Sequence, residues 1–111
     1  MAEHRPQPNI RDLSTTPDMP WDIIEIGDHV RSFDFERRDL DGEYACYMEG
    51  DVIEIVHWQG CDRYRIRVTD RIVGGKNIGV SDDFKEVLPP VNGTPTSLGR
   101  VCNGVVKMNR N

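Results

Sequence analysis

The chain has 111 residues, 37% of them hydrophobic and 30% charged, and a net charge of −5. That length argues for one domain with a thin core, and the acidic balance argues against DNA or RNA as the default partner. No apolar run approaches the roughly eighteen residues a membrane span needs, and the start of the chain lacks the apolar segment of a secretory signal.

Residues 1 to 20 contain Pro6, Pro8, Pro17 and Pro20 and little apolar content. They read as a flexible or extended arm, in which Ile10 and Leu13, with Trp21 just after it, are the side chains to watch for docking on a neighbour. Residues 21–111 then read as one β domain. "WDIIEIGDHVRSFDF" has a Gly-Asp turn at 27–28, followed by an imperfect period of two. "RRDLDGEY" is turn-rich, and "ACYMEG" is a short strand or the limb of a long loop. "DVIEIVHW" is β-branched and apolar on both faces, as in a central or a bulged strand. After the turn at "QGCD", "RYRIRVTDRIV" alternates cleanly. Tyr64, Ile66 and Val68 face one way; Arg63, Arg65, Arg67 and Thr69 face the other. "GGKN" closes another hairpin. "FKEVLPPV" is a short strand stopped by Pro89 and Pro90, which confine it to an edge or an end. "NGTPTSLG" is a loop that wraps the domain, and "GVVKM" is a last short strand.

Five to six short strands at roughly ten-residue spacing, without an amphipathic helix, predict an all-β, small antiparallel barrel or sandwich. Val30, Val52, Ile55, Tyr64, Ile66, Val68 and Val87 are the expected core.

The order of signals resembles that of SH3-like barrels. "IGDHVRS" looks like their opening Gly-Asp-x-Val strand. A long loop, a bent second strand at "EGDVIEI", then "DRYRIRV" and "EVLPP" follow over about residues 25 to 90. The combination of "VRSFDF", "CYMEGDVIEI", "RYRIRV" and "PPVNGTPTS" also resembles small uncharacterised proteins carried by bacteriophages and their hosts. That resemblance implies a genomic context and no assigned activity. The Gly-Asp-x-Val opening is shared with the plasmid-borne trimethoprim-resistant dihydrofolate reductases, tetrameric barrels with an active pore. Their Val-Gln-Ile-Tyr run has no counterpart in "KEVLPPV", so the fold is expected to be shared and the activity is not.

Charge is segregated along the chain. Residues 22 to 62 hold twelve acids against Arg31, Arg37 and Arg38; residues 63 to 76 hold Arg63, Arg65, Arg67, Arg71 and Lys76 against Asp70 alone. Arg63, Arg65 and Arg67 fall on one strand face, about 7 Å apart by strand rise. They form a possible anion or partner surface together with Arg71. Either they pair with acids of neighbouring strands, Glu54 foremost, or they track phosphates as in KOW-type RNA-binding barrels. The compact Gly-rich turn of those barrels is replaced here by the acidic segment 34 to 43. That segment is no EF-hand, because Arg37 and Met48 occupy the positions that require acids.

His57, Trp58 and Tyr64 are candidates for a groove, although a strand sets His57 and Trp58 on opposite faces. Trp58 is expected to cap one end of the barrel. A Cys61–His57 nucleophile lacks a visible third group, so no catalytic residue is assigned. Cys46, Cys61 and Cys102 include no CxxC pair and read as small hydrophobes in a reducing, cytoplasmic setting. His4, His29 and His57 show no ligand spacing, so neither metal nor other cofactor is expected.

The sequence thus points to a non-enzymatic interaction module, with a protein partner or self-association. A nucleic-acid-associated protein using the arginine row, and a small-ligand enzyme in an oligomeric pore, are the alternatives.

Overall fold

A computed structural model describes residues 14–33, 46–97 and 99–108. The strands are β1 (Ser14–Thr15), β2 (His29–Ser32), β3 (Tyr47–Trp58), β4 (Cys61–Val73), β5 (Lys76–Asn77), β6 (Glu86–Val87), β7 (Val101–Cys102) and β8 (Val105–Lys107). The described residues contain no α-helix; one 3-10 turn spans Asp82–Phe84. The main sheet is antiparallel, in the order β5-β4-β3-β2-β8, with β6 also on β4, and it curls into a half-barrel. Of the segment 1–20, Ser14–Thr15 pairs with Val101–Cys102 in a separate two-stranded sheet. The acidic segment 34–43, Ile10 and Leu13 lie outside the described residues.

Evenly spaced short strands are not what forms. Strands β3 and β4 run for 12 and 13 residues as one ribbon, and every other strand has two to four. "ACYMEG" and "DVIEIVHW" merge because Gly50 lets the chain bend without ending. A Cβ at Gly50 would run into the Arg67 carbonyl group and lie 2.9 Å from the Val68 Cα, so only glycine fits. Pairing shifts register there and again between Val52 and Glu54. These bulges coil a strand that would otherwise stay flat.

The alternation read in "RYRIRV" holds. Tyr64, Ile66 and Val68 are buried with Ile24, Val30, Met48, Val52, Val87 and Val105, and Phe84 and Val91 pack against them. Each such side chain contributes about 1.5–3 kcal/mol when removed from water. Ile55 is the exception among the expected core residues, being 43% exposed. It pairs with the buried Tyr64 and shares its face, but it lies on the part of the ribbon that projects past the core.

The margin of the half-barrel at β8 is finished by side chains. Val105 N–H donates to Asn92 Oδ1 at 3.3 Å, and Asn92 Nδ2 donates to the Val105 carbonyl at 2.7 Å. The carboxamide thus imitates one residue of a neighbouring strand. Lys107 N–H donates to Asp22 Oδ2 at 2.6 Å, extending the cap. Asn92 Nδ2 also donates to the Asp22 carbonyl, and the Asn92 N–H donates to the Tyr64 hydroxyl. Burial pushes that hydroxyl up to about 12, the Asn92 bond works against the rise, and Asp22 and Asp28 add to it. Gly93 follows with φ +94°, where a Cβ would meet the Trp21 ring at 2.9 Å. The "NGT" segment therefore wraps the barrel as expected, and it also closes its margin.

Candidate interaction surface on the distal hairpin

Beyond Val52 the β3–β4 ribbon extends as a hairpin closed by Gln59 and Gly60, whose φ values are +48° and +85°. Positive φ at both positions suits the tight turns whose twist matches a coiled ribbon. His57 lies opposite Asp62, and Trp58 opposite Cys61. Alternation places Glu54, Val56, Trp58, Arg63 and Arg65 on the outer face, and Ile55, His57 and Asp62 on the Tyr64 face. Trp58 is 50% exposed. It does not cap the barrel as expected, because the ribbon carries it past the core. Tyr64 is fully buried and belongs to the core, so it takes no part in a groove.

The arginine row resolves into individual roles. Arg65 donates through Nε to Glu86 at 2.8 Å and through Nη1 to Glu54 at 3.0 Å. The Glu86 bond, then the Glu54 bond, raise its pKa further, so it stays charged between two carboxylates. Arg63 donates to the Trp58 carbonyl at 2.9 Å and to the Leu88 carbonyl at 3.0 Å, with its guanidinium 5.8 Å from the Trp58 ring centre. Arg71 lies over the Phe84 ring at 4.7 Å. The Arg67 side chain is exposed and has no hydrogen bond or ion pair among the described residues. The expected pairing with Glu54 is thus formed by Arg65, with Glu86 as the acid the sequence did not single out. Beside this row Val56, His57, Trp58, Arg65, Glu86 and Leu88 line an open cleft of about 380 Å³.

On the opposite face His57 Nδ1 lies 2.9 Å from Asp62 Oδ1, and both side chains are mostly exposed. Asp62 is the orienting acid that was not visible in the sequence. Cys61 is placed across from Trp58, and no hydrogen bond joins it to His57.

A second polar cluster spans β2 and β3. His29 Nδ1 is 2.9 Å from Asp51 and its Nε2 is 2.7 Å from Glu49, which also accepts from Arg31 Nε at 2.8 Å. A neutral imidazole has one donor, so only the imidazolium satisfies both bonds. Burial works to lower the His29 pKa, but the hydrogen bonds and charges of Asp51 and Glu49 prevail and raise it. Sequence reasoning passed over this cluster because its members are twenty residues apart, although the alternation at 29 and 31 placed both on one face. No three His, Cys, Asp or Glu side chains among the described residues are arranged to hold a metal ion. No described helix is long and apolar enough to cross a membrane.

Comparison with family models, with curated proteins and with solved structures finds no match for this chain.

Proposed function

We propose that the protein is an SH3-like β-barrel acting as a non-enzymatic interaction module in the cytoplasm, with another protein chain as its partner. The bacteriophage or bacterial setting implied by the sequence resemblance belongs to the same proposal. The observation that carries it is the distal hairpin. Six residues past the last core position of β3, the ribbon is still paired, yet Ile55 and Trp58 remain exposed and Val56 and Leu88 flank a cleft. A hairpin that leaves Ile55 and Trp58 in solvent beyond its one buried side chain, Tyr64, is a projecting contact surface, and aromatic side chains of this kind anchor interfaces. The charge layout supports a protein partner over a nucleic acid. Arg65 is neutralised by Glu54 and Glu86, Arg63 is committed to main-chain carbonyls, and Arg67 alone presents an uncommitted guanidinium on that strand face.

Photo-crosslinking tests the reading. A photoreactive amino acid placed at Trp58 in the full-length chain is irradiated in living cells, beside one at the exposed Lys76 on β5. Protein adducts from position 58 and few from position 76 are expected. Equal labelling at the two positions, or none, would overturn the proposal.

A further inference from the structure

The margins of the main sheet are treated unequally. The β8 margin is taken by Asn92 and Asp22. The β6 margin runs into Pro89 and Pro90, and its Leu88 carbonyl is occupied by Arg63. Strand β5 is two residues long. These are familiar ways of blunting an edge against another chain.

Among the described residues, the distal margin of β3 has no such protection. Val52 is the last β3 residue served from that side, by Gly27 N–H and the Asp28 carbonyl. Farther along, the direction of the main chain follows from β4. Tyr64 N–H donates to the Pro89 carbonyl, and the Asp62 carbonyl accepts from Val91 N–H, so both residues turn their main-chain groups away from β3. Residues directly opposite in an antiparallel pair share that sense. Ile55, opposite Tyr64, and His57, opposite Asp62, therefore direct their N–H and C=O groups to the free margin. Among the described residues nothing takes these four groups. The margin carries Ile55, Val56 and Trp58 and contains neither lysine nor proline.

We propose that this margin pairs with the same margin of a second copy of the chain, antiparallel, about a two-fold axis at Val56. The inference rests on the reading of the protein as an interaction module and names its partner. Complementarity selects the register. With Val56 opposite Val56, each Ile55 faces His57 of the other copy, and all four free groups of each chain are used in four hydrogen bonds. Glu54 then lies beside Trp58 of the other copy. Ile55 opposite Ile55 sets His57 against the bulged Ile53. Glu54 opposite Glu54 brings like charges together, which is unfavourable. The contact uses one patch on both copies, so it closes as a dimer and leaves no edge for a filament.

Sedimentation of the full-length chain from low micromolar to near-millimolar concentration tests the pairing. The mass is expected to rise from 12.7 kDa toward twice that value. Over the same range, hydrogen exchange at the Ile55 and His57 amides is expected to slow. Val56→Lys sets two ammonium groups across the axis and should remain monomeric, with an unchanged circular dichroism spectrum. Mixing it with Val56→Glu should restore a dimer. A wild-type chain that stays at 12.7 kDa throughout overturns the inference, as does a dimer that leaves the two amides unprotected. Should Val56→Lys fail to fold, amide exchange in the wild type decides. A monomer that still gives position-58 adducts to other proteins removes the dimer and leaves the interaction module standing; a monomer without adducts removes both.

Discussion

The two halves of the β3–β4 ribbon share one backbone and differ in what lies against them. In the proximal half, Met48, Val52, Ile66 and Val68 are buried under Val30, Val87 and Val105. In the distal half, residues of the same hydrophobic character, Ile55 and Trp58, face solvent. Strand character is therefore no guide to burial in this protein. What separates the halves is that the segment from Trp21 to Asp28 brings Ile24 into the core with the proximal half, whereas the loop from Pro89 to Pro95 runs beside Asp62 and Tyr64 at the edge of β4 and leaves Ile55 and Trp58 uncovered. Stability should depend on the proximal half and on those two segments, whereas recognition should depend on the distal half.

The sharpest way to break that division is Asn92→Ala. It strips the cap from Val105 N–H and C=O and from the Asp22 carbonyl, and should cost about 3–5 kcal/mol because buried main-chain groups lose partners. A chemical denaturation curve reads it; a loss below about 1 kcal/mol would mean that water replaces the carboxamide freely. Gly50→Ala comes next, at about 2–3 kcal/mol, because its methyl group must displace the Arg67 carbonyl. The same measurement on Gly75→Ala separates crowding from backbone preference, since Gly50 is crowded without a positive φ, whereas Gly75 has φ +80° and open space around it. Tyr64→Phe removes the acceptor of the buried Asn92 N–H at little change in volume, and should cost about 1–2 kcal/mol.

A smaller effect is expected at His29, and it should depend on pH. Its folded pKa lies above the ordinary 6.5, held there against burial by Asp51 and Glu49. The contribution is therefore fully present below the unfolded value and is lost as pH rises through the folded pKa. The stability difference between wild type and His29→Gln, about 0.5–1 kcal/mol for such partly exposed pairs, should shrink over that rise. A difference that grows with pH would show that the imidazole is neutral in the folded chain. The smallest effect belongs to Arg67→Gln, within about 0.5 kcal/mol, because the exposed side chain has no partner to lose among the described residues. Fluorescence anisotropy with DNA and RNA oligonucleotides sharpens the same point. Neither the wild type nor a variant with Arg63, Arg65 and Arg67 all changed to glutamine should bind in low salt. Salt-sensitive binding by the wild type alone would return the row to the phosphate reading.

The sequence by itself determined the period of the strands, and with it the faces of Tyr64, Ile66 and Val68 against Arg63, Arg65 and Arg67. Alternation is a property of the extended backbone and needs no long-range information. It also determined the turn at Gly27–Asp28 and the short stop at Pro89, because positive φ and a missing N–H act locally. Tertiary structure decided the rest. Whether Ile55 is core or surface depends on what covers its face, and its own neighbours in sequence do not supply the cover. Asn92 reads as a turn residue, and it becomes the cap of the sheet only because folding brings Val105, Asp22 and Tyr64 to it from 13, 70 and 28 residues away. His29, Glu49 and Asp51 likewise become one cluster only through the β2–β3 register. The hydrogen bonds of an extended backbone point sideways to whatever strand arrives, so their partners are fixed by the fold and are not written in the run of residues that makes the strand.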